Sequence, residues 1–413
     1  MSTRHLPVRP NLDQLKHQAR DFLNAIKRGE PEALSELRTH HPRATDVAQV
    51  RLTDAQHVLA RSYGVASWPR LVLACRMTDA IYRDDLETVR MLVTRHPRLL
   101  HEHARGVKGN WGPPMSYAAN LGRNRIIEML RGLGAEGLQF AFERASLQGQ
   151  IETAKQLHAM GARPVRGSVM GPCETQNAEG LAFLLEHGAE LADEHGNRLA
   201  PVEMLLQTYG RNPTGKHRCL ELLIQHGIDL PDTPTMALHR GRLDLLESHV
   251  RRNRTVLSRT FEHEEIYPPA LGCSADHSLA LHGTPLAGTT LLHMCIDYDE
   301  IEIARWLLAQ GAPVDAKASV DADGFGGHTA LFATVVTQPI RLRHTDEVAR
   351  LLLDHGADPN VRASLRKQLR GADDETMHEY RDVTPLGWGE RFHDQSFVSR
   401  PAMRLIAERG GRG

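Results

Sequence analysis

Along the chain, runs of apolar residues at helical spacing are closed again and again by Gly-Ala: Gly134-Ala135, Gly161-Ala162, Gly188-Ala189, Gly311-Ala312 and Gly356-Ala357. The clearest copy is Gly288 to Ala316. Thr290 offers a capping oxygen, and Leu292, His293, Cys295 and Ile296 follow on a short helix. Asp297–Asp299 makes a turn, and a second helix runs from Glu300 to Gln310 with Ile301, Ile303, Ala304, Leu307 and Leu308 on one side. Gly311 then closes it in the left-handed conformation. Such a pair of helices has an apolar face on each and cannot bury both alone. Stacked copies supply the missing partner, so the repetition predicts an array whose core runs along its length.

Other copies are Pro113 to Ala135, Ala145 to Ala162, Leu181 to Ala189, Cys219 to Gly227, Thr329 to Asn360 and Thr384 to Gly410. Thr384-Pro385-Leu386 and the run LLLDHGADPN resemble the T-P-L-H-x-A-A and L-L-x-x-G-A-D signatures of ankyrin repeats, whose unit is about 33 residues. The resemblance covers 76–413 in roughly eight or nine units. It implies an all-α, ankyrin-repeat solenoid. Departures are plain. His293 alone keeps the consensus histidine, with Ser116, Phe332 and Gly387 in its place elsewhere. Gly134, Gly161 and Gly188 are 27 apart (161 − 134, 188 − 161), too close for a full finger loop, and the units within 166–232 are degenerate.

Residues 1–75 lack the signature. Leu12, Leu15, Ala19, Phe22, Leu23 and Ile26 form one apolar face after Pro10-Asn11, and further helices are expected from Pro31, from Leu52 to Gly64 and from Ser67-Trp68-Pro69. This stretch is similar to a helical region found ahead of ankyrin repeats in bacterial proteins, and the expected role is a cap for the open end of the array. Three long connections interrupt the repeats: 258–289, 316–328 and 361–383. The first is 32 residues (258 to 289 inclusive), and its Phe261, Ile266, Tyr267, Pro268 and Pro269 argue for a folded segment over one face of the array.

Chemistry is sparse by comparison. Lysine plus arginine (50) balances aspartate plus glutamate (51), so no global field draws the chain to nucleic acid or an anionic membrane. Five scattered cysteines without a C-x-x-C pair fit reduced thiols and a cytoplasmic location, and no signal segment or membrane-spanning run is seen. No G-x-S-x-G, P-loop or dinucleotide fingerprint occurs, so no catalytic residue and no cofactor is assigned. His263-Glu264-Glu265, His277, His282, His101, His103, Asp321, Asp323, His328 and His378 are metal-ligand types, but no pair has helical ligand spacing, and no metal is expected. His293 is read as tying its loop to neighbouring backbone, and Cys295 as a buried thiol. The basic run Arg362, Arg366, Lys367 and Arg370 in a helical-looking loop, ahead of Asp373, Asp374 and Glu375, reads as a self-compensating surface.

The resemblance implies that positions after the first helix, and the loop tips, line a concave partner-binding surface. Carried onto this sequence these are Asn120, Leu121, Asp297 and Tyr298, with Leu147, Gln148, Val336 and Thr337, then Arg391 and Phe392. Near the loop tips stand Trp111, Asp323, Phe325, His328, His378, Tyr380 and Arg381. Aromatics and arginine there have the composition of binding hot spots. Trp388 reads equally as part of a terminal cap or as a contact. The expected function is a non-enzymatic scaffold that binds a partner protein. The alternative is a small-molecule-binding protein or enzyme, with a histidine and carboxylate pocket roofed by 258–289.

Overall fold

The computed structural model describes residues 4–41, 46–275, 282–339, 345–370, 372 and 374–413. Its chain divides into two compact units, Met1–Pro164 and Val165–Gly413. The expectations for His277 and Asp373 lie outside the described residues.

In the first unit, α1 (Leu12–Lys27) starts where the Asn11 side chain accepts the Asp13 and Gln14 amides, and it buries Leu15, Ala19, Phe22 and Ile26 at helical spacing. It packs with α2 (Pro31–His40), α3 (Leu52–Ser62) and α4 (Trp68–Tyr82) around two small cores, one holding Leu15, Leu59 and Leu71 and the other Phe22, Leu37 and Val58. Then come the helical pairs of α4 with α5 (Leu86–Arg95), α6 (Pro114–Asn120) with α7 (Asn124–Gly132), and α8 (Leu138–Leu147) with α9 (Ile151–Ala159). Gly134 and Gly161 end their helices at φ +94° and +110°, conformations an L side chain resists.

The second unit continues in pairs: α10 (Met170–Glu174) with α11 (Ala178–Glu186), α12 (Ala200–Gln207) with α13 (Pro213–Gln225), and α14 (Pro234–His239) with α15 (Leu243–Arg252). After the short α16 (His263–Ile266) come α17 (Leu291–Tyr298) with α18 (Ile301–Ala309) and α19 (Phe332–Val335) with α20 (Thr345–Asp354). The last pair is α21 (Pro385–Arg391) with α22 (Arg400–Glu408). Thr-Pro does what its chemistry suggests: Thr233 and Thr384 accept amides three residues on, and the proline fills the first turn. One apolar cluster runs from Val169 to Ile406, as stacking requires. No helix among the described residues is long and apolar enough to cross a membrane.

The stretch 361–383 departs from the helical reading. Ala363–Lys367 (β1) and His378–Val383 (β2) form an antiparallel hairpin, Leu365 opposite Tyr380 and Lys367 opposite His378. Its burial alternates, with Ala363, Leu365 and Lys367 inward. That period of two was present in the sequence but masked by the charged residues between. The fold is therefore mostly helical with one small hairpin.

Candidate binding site

The insertion is a folded part of the second unit. Its base is closed by Phe261 and Thr289, paired in an antiparallel bridge with the Phe261 amide donating to the Thr289 carbonyl at 2.8 Å. Phe261, Ile266, Tyr267, Leu271 and Cys273 enter the shared core. The segment from His282 onward then lies across the surface expected to be open. Tyr267 and Tyr298 hydroxyls meet, and His282 Nδ1 is 2.7 Å from Asp297 Oδ2. At the next repeat, Thr284 donates to the Val336 carbonyl at 2.9 Å, and one repeat further on Trp388 Nε1 donates to Thr284 Oγ1 at 3.2 Å. Gly283 makes this seating possible, since a Cβ there would stand 2.6 Å from Thr337 N and Cα. Asp297 and Tyr298 are thus buried under the chain's own insertion, which corrects their assignment as partner contacts. Trp388 is fully buried and belongs to the core.

Beneath the insertion lies an unusual density of buried charge. Arg211 reaches Asp297 Oδ2 at 2.9 Å and donates to the carbonyls of Thr208 and Gly210 at 2.8 Å each. Burial works against its charge, and the Asp297 carboxylate more than restores it. Lys216 Nζ sits 4.0 Å over the Tyr298 ring and 3.6 Å from Glu300 Oε1, which also takes His217 Nε2 at 2.7 Å. Burial lowers Lys216 to about 8, with Glu300 opposing. Burial likewise lowers His282, against the pull of Asp297. These groups form one continuous polar seam of the kind that costs most when a member is removed.

The seam opens at one end into a cavity of about 500 Å³. Tyr267 and His282 lie at the insertion side, Leu286 and Phe325 form apolar walls, and Lys367 comes from β1. Lys367 is lowered to about 8 by burial, with Asp297 opposing, so it is a buried cation and not part of a surface run. Its neighbour Arg366 faces out and binds Asp321 at 2.7 Å and Asp323 at 2.9 Å. Among the described residues no group of three His, Cys, Asp or Glu is arranged to hold a metal ion.

The polar positions in this frame are architectural. His293 completes a capping box with Thr290, Nδ1 to Oγ1 at 2.9 Å, while its Nε2 meets the His328 carbonyl at 3.1 Å. His328 in turn donates through Nε2 to the Pro285 carbonyl at 3.0 Å. An ankyrin repeat family model matches residues 287–319 and 326–364, the two units built on these histidines. The chain is an ankyrin-repeat protein. It is similar to the ankyrin repeat-containing protein YGL242C of Saccharomyces cerevisiae, 30% identical over 118 residues, which is 29% of this chain and 61% of the yeast protein. The chain thus spans about three fifths of the length of that curated relative. A crystal structure of the human ASB11 ankyrin repeat domain aligns over 73% of this chain and 99% of its own at 17% identity, with a TM-score of 0.26.

The ankyrin scaffold distributes the remaining expected contacts unevenly. Asn120 is buried, accepting from Arg144 Nε at 2.9 Å and donating to the Ser116 carbonyl at 2.8 Å. Phe325 is buried between the guanidiniums of Arg366 and Arg381, 4.9 and 4.2 Å from its ring centre. His328, Tyr380 and Phe392 are buried as well, Tyr380 packing on Trp388 and Phe392. For all five, packing consumes the side chain, and the expectation of partner contact is corrected. Trp111, Leu121 and His378 are half-buried, whereas Asp323, Arg381 and Arg391 are exposed. The sequence reading missed Arg211, Lys216, Tyr267, Glu300 and Lys367 as members of the seam. Lys216 carried a signal, since it falls on the apolar stripe of Cys219, Leu220 and Leu223.

Proposed function

We propose that the chain is a non-enzymatic protein-binding scaffold that engages its partner through the rim of the second unit's loops. Ankyrin repeats generally mediate protein–protein interaction. The observation that carries the reading here is at the cavity mouth. Val320 is 62% and Met377 52% exposed beside the exposed Arg381, apolar and guanidinium surface that the fold does not use. Such a pairing has hot-spot composition. Asp323, His378 and Arg391 extend the same rim reading, while Trp111 and Leu121 offer a separate surface on the first unit. The groove across Asp297 and Tyr298 is filled by the insertion and is not part of the proposed surface.

The test is capture from lysate by the intact chain against a Val320→Asp, Met377→Asp variant. The expected result is a saturable partner lost from the variant while its circular dichroism and melting temperature stay unchanged. Equal recovery by both would place the working surface elsewhere.

A further inference from the structure

We infer that the cavity between the insertion, the 319–328 loop and β1 binds a monocarboxylate attached to an apolar group. The carboxylate can come from a free small acid or from the C-terminus of a peptide. The inference stands apart from the scaffold reading, since it concerns the depth of the cavity and not its rim. Three observations lead to it.

Volume and lining come first. About 500 Å³ falls within the range of small-ligand sites, roughly 300–1,000 Å³, which combine apolar walls with a few placed polar groups. Leu286, Phe325 and Leu365 supply the walls, and Tyr267, His282 and Lys367 the polar base.

The second observation is charge. Lys367 brings an ammonium to a position only 7% exposed. The nearby carboxylates are engaged by other groups. Asp321 is held by Arg366 and by the amides of Asp323 and Phe325, and Glu262 caps its own helix. Arg366 is committed to Asp321 and Asp323. One buried cation suits one negative charge. A phosphate dianion would leave a charge uncompensated in a poorly solvated site.

The third is a proton inventory. Four contacts form a chain: Asp297 Oδ2 to His282 Nδ1 at 2.7 Å, His282 Nε2 to the Tyr267 hydroxyl at 2.5 Å, Tyr267 to Tyr298, and Tyr298 to the Leu206 carbonyl at 3.0 Å. With a neutral imidazole, His282, Tyr267 and Tyr298 hold only three protons for these four contacts. A second proton on His282 completes the chain. Arg211 and Lys367 oppose that proton, Asp297 favours it, and the two tyrosines stay protonated because burial raises both phenols. An anion seated against Lys367 and Tyr267 weakens the opposition, so binding draws a proton onto His282.

The experiment is calorimetric titration of the full chain at neutral pH in Tris and in HEPES. The probes are phenylacetate, phenylacetamide, inorganic phosphate, and a hexapeptide ending in phenylalanine with a free or an amidated C-terminus. The expected result is saturable binding of at least one carboxylate, roughly tenfold or more tighter than its amide, with Lys367→Met losing a similar factor. The heats in the two buffers should differ by the uptake of about one proton per site, and Tyr267→Phe should reduce that uptake. Binding of phenylacetate alone identifies a free acid as the source, and of the peptide alone a chain terminus. No carboxylate binding at millimolar concentration, equal binding of acid and amide, or preference for phosphate would overturn the inference. The amide comparison uses the unaltered chain, so it decides the matter even where a variant folds poorly.

Discussion

His293 and His328 show how much a single side chain can be asked to hold. Each ring spends its nitrogens on backbone or on a capping hydroxyl, and each is fully neutral in the folded chain. Burial, reinforced for His293 by the neighbouring His328, lowers them to about 3 and about 4. In the unfolded chain both titrate near 6.5. Above that pH neither state binds a proton, so the pair makes no pH-dependent contribution. Below it the unfolded chain takes up protons that the folded chain refuses, and stability falls as pH drops from about 6.5 toward 4. Each histidine should contribute about 1 kcal/mol of loss per pH unit across that window. Urea unfolding at pH 7 and pH 5 measures it, and His293→Gln should reduce the slope by about one proton's worth. A stability independent of pH over this window would mean the rings are solvated. The role of His293 was legible in the sequence because its partners are local, at Thr290 and in the next repeat. Lys367 was not legible, because its burial is set by a strand pairing and its sequence neighbours are charged.

At the scale of elements, the helices followed from periodicity and caps, whereas the insertion and the hairpin decide what those helices expose. Asp297 and Tyr298 sit where an ankyrin repeat leaves side chains free, and the sequence gave no sign that His282 and Tyr267, fifteen and thirty-one residues before them, return to cover them. Such long-range cover is invisible to any local pattern. Gly283 is the residue on which the seating turns. Gly283→Ala places a methyl group against the Thr337 backbone, which has no rotamer through which to yield. The expected cost is about 1–3 kcal/mol, with faster amide exchange over residues 282–289 and little change in the first unit. An unchanged urea midpoint together with unchanged exchange would show that the insertion is not pressed against α19's repeat.

Across the whole chain, repetition supplies the core and departures from repetition supply whatever is particular to this protein. The second unit's apolar cluster is continuous from Val169 to Ile406, and the insertion joins it instead of dangling from it. The polar seam of Arg211, Lys216, Asp297, Glu300, Tyr267 and His282 lies where insertion and repeats meet, and its loss would be felt in both. Binding is thereby moved from the inner surface, where the repeat pattern alone would put it, to the loop rim and the cavity beside it. The most direct measurement of that arrangement is hydroxyl-radical footprinting of the tyrosines in the intact chain. Tyr267 and Tyr298, 1% and 2% exposed, should be protected, while Tyr209 at 44% is modified readily. Modification of Tyr298 as fast as Tyr209 would contradict the account, because it would mean that the insertion leaves the inner surface open.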